Sequence, residues 1–213
     1  GFILFMETVR DPDGLARFAR QAFRTGKSII AYMVGQSDEA QALAVSHTGA
    51  MVGNAEATKA YFKSIGISQV NQFEAIFEAP AVLALSNRFQ NRQKKVTVVS
   101  TTGGGGAMVI DQLAVRGVEI ATCPETVRSA LSAKNIPIGT GKLVDVTLAG
   151  AKYDIMKTVI SKIIEHEDTG VLLVAIGSSA QFNPDLVVNP IIDAVEESSS
   201  KAAPVLAFPL PHA

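Results

Sequence analysis

The sequence predicts an α/β protein built from two doubly wound parallel sheets. Short apolar runs of strand length alternate with longer segments whose apolar residues recur at helical spacing, and strands separated by helices of this length pair in parallel with both faces covered. The alternation stops once, at a polar and basic stretch, and then begins again. With 213 residues, 47% of them hydrophobic, the chain is long enough for each half to hold its own core.

Gly1–Met6 reads as a buried strand. It starts with no preceding turn, so the first domain is expected to be N-terminally truncated. Asp11 caps a helix with Pro12 at its first position and Leu15, Phe18, Ala19 and Ala22 on one face, and Gly26 closes it. Ser28–Val34 is the next strand, and Gly35 to Gly53 reads as one long loop of small and polar residues. Asn54 and Glu56 open a helix that runs to Ser64 and ends at Gly66. Ile67–Val70 is a short strand, and Gln72–Leu85 is a helix with Phe73, Ile76, Phe77 and Leu83 inward.

From Asn87 to Lys95 the chain is polar and basic, which places a domain boundary there and divides the chain into 1–90 and 91–213. Val96–Ser100 is then a strand, Gly103–Gly106 a tight loop and Ala107–Val115 a helix. Val118–Ala121 is a strand and Pro124 starts a helix; Asn135–Gly141 is a loop and Lys152–Glu165 a helix. Val171–Ile176 is a strand, Pro184–Glu197 a helix and Val205–Phe208 a last strand.

Composition removes several functions. The net charge is −1 and the basic residues are scattered rather than striped, so nothing in them suggests a nucleic-acid footprint. The single cysteine, Cys123, excludes an internal disulfide and a cysteine-based zinc site, and fits a reducing compartment, the cytoplasm. No apolar run approaches the ~18 residues of a membrane span. His166, between Glu165 and Glu167, and His212, near the end, have no ligand partners close in sequence, so no metal site is expected. Thr25-Gly26-Lys27-Ser28 copies the end of a P-loop, but Gln21 stands at its first glycine and a strand follows where a helix is required.

Two stretches carry chemistry. Ser46-His47-Thr48-Gly49-Ala50 places a histidine in the long loop, where an imidazole on a mobile segment can carry a group between two places. Thr101-Thr102-Gly103-Gly104-Gly105-Gly106-Ala107-Met108 follows a strand and opens a helix. Four glycines let the backbone approach a ligand, and the helix N-terminus offers free N–H groups and partial positive charge, an anion seat. The dinucleotide fingerprint fails, because Met108 stands where its third glycine belongs.

Together these stretches resemble the NDP-forming acyl-CoA synthetases, the superfamily of succinyl-CoA synthetase and ADP-forming acetyl-CoA synthetase. Ser46–Gly53 is similar to the family's phosphohistidine loop, and Ala57 through Phe62 to Gly66-Ile67 continues like its following helix and strand. Met6–Asp11 resembles the strand end that supplies a glutamate to hold the histidine, which puts Glu7 in that role. Val98–Asp111 resembles the glycine-rich turn whose helix faces the phosphorylated histidine, and Leu143–Thr147 is similar to a further family stretch. Thr101, Gly105 and Lys142-Leu143 replace the family's asparagine, proline and Asn-Pro.

The resemblance implies two flavodoxin-like domains: a partial histidine-loop domain and a CoA-ligase-like domain. It implies an enzyme that makes acyl-CoA from a carboxylic acid, CoA and ATP, with His47 and Glu7 catalytic and Thr102, Gly103, Gly104, Gly105, Gly106 and Ala107 binding phosphate. CoA and ATP/ADP with Mg are the implied cofactors, the nucleotide and Mg lying on an ATP-grasp domain outside this chain. CoA-binding and ATP-grasp domains, in the same or another polypeptide, are the implied partners. An apolar sheet edge or face in the truncated first domain is expected to favour self-association. Two readings of other classes stand beside this: a noncatalytic regulatory or scaffold module, and a hydrolase built on Ser46 or Ser178. The second lacks the Gly-x-Ser-x-Gly elbow, since Gly177-Ser178-Ser179-Ala180 stands in its place.

Overall fold

The computed structural model describes residues 1–35, 37, 39–40, 55–84, 93–147 and 152–210. His47 with most of its loop, Asn54, the basic stretch through Arg92, and His212 lie outside the described residues. The chain divides into two compact units, Gly1–Ser86 and Asn87–Ala213.

In the first unit, β1 (Phe2–Met6), β2 (Ile29–Met33) and β3 (Ser68–Val70) form a parallel sheet in that order. Asp11 caps α1 (Pro12–Arg24), its Oδ1 accepting the Gly14 N–H at 2.8 Å, and Pro12 takes the first turn, where its missing N–H costs nothing. Gly26 adopts φ +67 after this helix and Gly66 φ +78 after α2 (Ala55–Ser64), a conformation that only glycine enters without strain. Strand alternation sends Ile29, Ala31 and Met33 to the face covered by α1 and α2, where they meet Ala19, Ala22, Phe62 and Ile67. On the other face α3 (Ala75–Ala84) buries Ile76 against the sheet. The rings of Phe5, Tyr32, Phe73 and Phe77 form a chain of stacked and edge contacts with centroids 5.5–6.2 Å apart.

Two expectations for this unit need correction. β1 is not buried: it is an edge strand, and Phe2, Ile3 and Phe5 are exposed. Phe77 points outward at 67% exposure, and Phe73 precedes α3 and stays exposed; Ile76 is the one fully buried residue of α3, and Leu83 is half-buried.

The second unit centres on β4 (Lys95–Ser100), which pairs in parallel with β7 (Val171–Ile176) on one side, and β8 (Val205–Pro209) pairs with β7. The other edge of β4 carries β5 (Glu119–Ile120) along its first half and β6 (Leu143–Asp145) along its second. β6 was not expected as a strand, since three residues are too few to show a period. Val99, Val144, Leu172 and Val174 pack with α5 (Glu125–Ser132), α6 (Tyr153–Ile164) and α7 (Pro184–Glu196) in the larger core, which is closed by Leu131, Met156, Ile160 and Ile163. Burial pushes the Cys123 thiol in this core above its ordinary value, against the opposing charge of Arg128. The opposite face, that of Val98 and Ser100, carries α4 (Gly103–Ala114). Here the sequence reading is corrected: the four glycines are the first turn of α4, not a loop before it. A short 3₁₀ turn, Ser178–Phe182, follows β7. No helix among the described residues is long and apolar enough to cross a membrane.

α6 and α7 are tied at their surfaces by the Tyr153 hydroxyl donating to Asp193 and by Lys157 on Glu197 at 2.7 Å. Beyond α6, Glu165 accepts the Ser199 N–H at 2.6 Å and its hydroxyl at 2.8 Å. The Ser199 backbone and side-chain donors hold the Glu165 carboxyl below its ordinary value. A depressed carboxyl contributes stability above its unfolded pKa and loses it as pH falls through the folded one. Ser199→Ala is therefore expected to flatten the acid limb of the stability profile, measured as denaturation midpoint against pH, and to leave the neutral limb's slope unchanged. Phe62 is fully buried, so Phe62→Ala should cost the first unit about 3–5 kcal/mol. Amide exchange would show it as lost protection in β2, with β7 still protected.

Candidate functional site

The strand order of the second sheet puts a topological switch point between β4 and β7. From β4 the chain moves to β5 and β6 on one side, and from β7 it moves to β8 on the other, so the loops leaving β4 and β7 part at their carboxyl ends. Hydrogen bonds hold the two walls in place. Thr101 N–H donates to Ala175 O at 3.2 Å, and Gly177 N–H donates to Thr101 Oγ1 at 2.8 Å. Ser100, fully buried at the end of β4, places its hydroxyl 2.8 Å from Thr102 O and 3.1 Å from Ala175 O and accepts the Thr102 N–H at 3.2 Å.

α4 begins in this crevice. Thr102 is its N-cap, with extended backbone and no side-chain cap hydrogen bond. Gly106 N–H already donates to Thr102 O at 2.9 Å, and Ala107 lies further into the helical ladder. Of the six residues Thr102–Ala107, the N–H groups of Gly103, Gly104 and Gly105 are the ones left without an intrahelical acceptor.

The four glycines are glycine for different reasons. A Cβ at Gly106 would stand 2.6 Å from Leu143 Cδ1 and 2.9 Å from Ser100 Cβ, so close packing of helix on sheet requires its absence. At Gly105 a Cβ would meet Leu210 and stand 2.8 Å from Thr102 Cγ2, and at Gly103 it would stand 2.9 Å from Asp145 Oδ2. Gly104 is exposed, and a Cβ there would meet nothing within 4 Å. Neither packing nor conformation asks for glycine at 104, although glycine is a poor helix former. What a bare backbone there provides is room for a group to come close to the free N–H donors.

Glu7 directly follows β1, with its side chain exposed. Met6 pairs with Met33 in the parallel ladder, so Glu7 and the point where the long loop leaves β2 share one sheet edge. The structure thus brings Glu7 and the root of the His47 loop to the same end of the first sheet, while His47 itself is outside the described residues. His166 has both ring nitrogens engaged: Asp168 N–H donates to Nδ1 at 3.2 Å, so Nε2 carries the proton and faces Thr126 Oγ1 at 2.9 Å. Its groove of about 410 Å³, shared with Lys162 and Glu165, lies at the α5–α6 contact, away from the crevice. Among the described residues no three His, Cys, Asp or Glu side chains could hold a metal.

Sequence reasoning did not single out Ser100, Gly177 or Leu210, whose parts depend on strands far apart in the chain. Asp145 lay in a noted stretch, but nothing in its neighbours indicated that it would meet Gly103. The accounting of the glycines separates two substitutions. Gly104→Ala should stabilise the chain by a few tenths to about 1 kcal/mol, whereas Gly106→Ala should cost about 1–3 kcal/mol, both read by chemical denaturation.

Residues 1–83 match the family described as the succinyl-CoA ligase like flavodoxin domain. Over 212 residues the chain is 25% identical to the alpha subunit of ADP-forming acetate–CoA ligase II of Pyrococcus furiosus, covering 96% of this chain and 44% of that protein. It is 26% identical over 182 residues to ADP-forming acetate–CoA ligase I of Archaeoglobus fulgidus, covering 85% of this chain and 26% of that protein. The chain thus spans less than half the length of these relatives. The solved dinucleotide forming acetyl-coenzyme A synthetase 1 of Ca. Korarchaeum cryptofilum, in complex with phosphate and ADP, has the same fold: TM-score 0.80 at 24% identity, over 100% of this chain and 46% of that one. The resemblance to the NDP-forming acyl-CoA synthetases therefore holds along nearly the whole chain, and residues 1–83 match their succinyl-CoA ligase like flavodoxin domain.

Proposed function

We propose that this chain is part of an NDP-forming acyl-CoA synthetase, which makes an acyl-CoA from a carboxylic acid, CoA and ATP by way of a phosphohistidine at His47. The observation that carries the reading is Gly104: an exposed, unpacked glycine in the first turn of a helix that opens at a topological switch point. His47 attacks the terminal phosphorus of ATP as neutral imidazole through one nitrogen, breaking the bond to ADP, which leaves, while the other nitrogen donates its N–H to Glu7, which fixes the tautomer and offsets the positive charge that forms. The phosphoryl group is then a dianion carried on a loop. The N–H groups of Gly103, Gly104 and Gly105 receive it, stabilising charge without a cation. In this reading histidine accepts, holds and donates. CoA and ATP/ADP with Mg belong to CoA-binding and ATP-grasp domains, on the same polypeptide or a second subunit, and no residue of this chain is assigned to them.

The test joins the chain to those domains and incubates the assembly with Mg-ATP. Intact mass is expected to show one acid-labile phosphoryl adduct, absent in His47→Asn and reduced at least tenfold in rate in Glu7→Gln. An adduct in neither wild type nor variant would favour the noncatalytic scaffold. The chain by itself, given acid, ATP and CoA, is expected to make no acyl-CoA above background.

A further inference from the structure

We propose that a cavity at the amino end of β4 binds a small free α-amino acid, its carboxylate held by Lys95 and Thr97 and its ammonium group by Glu119 and Asp168. The cavity has a volume of about 400 Å³, within the range of small-molecule sites. It is lined from the first half of β4, from β5 and the turn that leads into α5, and from Asp168, just before β7. α4 opens at the other end of β4, so this site is separate from the one described above.

Thr97 is the residue that points to a ligand. It is 1% exposed and lines the cavity, yet its hydroxyl makes no hydrogen bond to any described residue. Buried polar groups are nearly always paired, so this hydroxyl calls for a partner from outside the chain. The charges around it name the class of that partner. Lys95 stands directly opposite Glu119 in the β4–β5 ladder, on the strand face that carries Thr97, and neither forms an ion pair with a described residue. Gln93 Nε2 donates to Asp168 Oδ1 at 3.2 Å, which holds the second carboxylate at the cavity wall. A simple anion would be opposed by two carboxylates, and a simple cation by the Lys95 ammonium. A zwitterion meets both signs. Neighbouring strands lie ~5 Å apart, and the charged ends of an α-amino acid are joined through a single carbon, so one molecule reaches both strands. Ala121 and Pro124 give its side chain an apolar wall.

The experiment titrates the 213-residue chain with glycine, L-alanine, L-serine and L-leucine in turn and follows the amide ¹⁵N and ¹H shifts of Thr97, Ala121 and Thr122. At least one of these amino acids is expected to saturate the shifts at millimolar concentration or below. Acetate and methylammonium, each with one charged end, should bind roughly tenfold more weakly. Thr97→Val keeps the shape of the buried side chain, and should weaken binding roughly tenfold while leaving the denaturation midpoint of the free chain unchanged or raised. Lys95→Met and Glu119→Gln should each weaken binding by a similar factor, whereas Glu196→Gln, at the end of α7, should match wild type. No saturable response with any of the amino acids would overturn the site. Acetate or methylammonium binding as tightly as the amino acid would overturn the zwitterion. A lowered midpoint for Thr97→Val would mean that its hydroxyl already has a partner, and would overturn the role given to it.

Discussion

The parallel ladder between β4 and β7 is the interaction on which the second unit and its candidate site both depend. Five residues of β4 pair in register with β7, from Val96 opposite Val171 to Ser100 opposite Ala175. Because β4 also carries β5 and β6 on its other edge, it is hydrogen-bonded on both sides, and its last four residues are buried. Ser100 is the point where this ladder ends and the site begins. Its hydroxyl needs partners once it is buried, and it finds them in Thr102 and Ala175, which fixes where the chain turns into α4. The crevice is thus a consequence of strand order, and the hydrogen bonds at its floor set the direction of the helix.

At that switch point the first turn of α4 leaves three N–H groups without intrahelical acceptors, and the Asp145 carboxylate, held by Thr147, stands beside them. The first unit uses the same edge of its own sheet: Glu7 follows β1, and the loop that carries His47 departs from β2. In parallel sheets all strands end on one edge, so side chains from different connections gather there without further instruction.

Much of this was legible in the chain. Val171–Ile176 is a continuous apolar run and folds as a strand over those residues, because a strand covered on both faces needs no polar alternation. Asp11 and Pro12 mark the start of α1 through local rules of capping and fixed φ. The glycine run was not legible as a helical turn: low helix propensity argues for a loop, and it is overruled because Gly106 must lie flat against Ser100 and Leu143. Phe77 and, in the edge strand β1, Phe2, Ile3 and Phe5 have the apolar character of core positions yet stay exposed, while Leu4 and Met6 of the same strand pack against the core. The role proposed for His47 rests on resemblance, since a single histidine in a loop has no local signature of catalysis.

Local rules in the sequence set most of the elements and the alternation that makes both sheets parallel, because these follow from spacing and capping within a few residues. Tertiary structure decided which three N–H groups stay free, why Gly104 alone among the four glycines is unpacked, and that Asp145 stands against Gly103. Each of those depends on segments brought together by the pairing of β4 with β6 and β7, and contacts between distant segments leave no periodic trace in the chain that makes them.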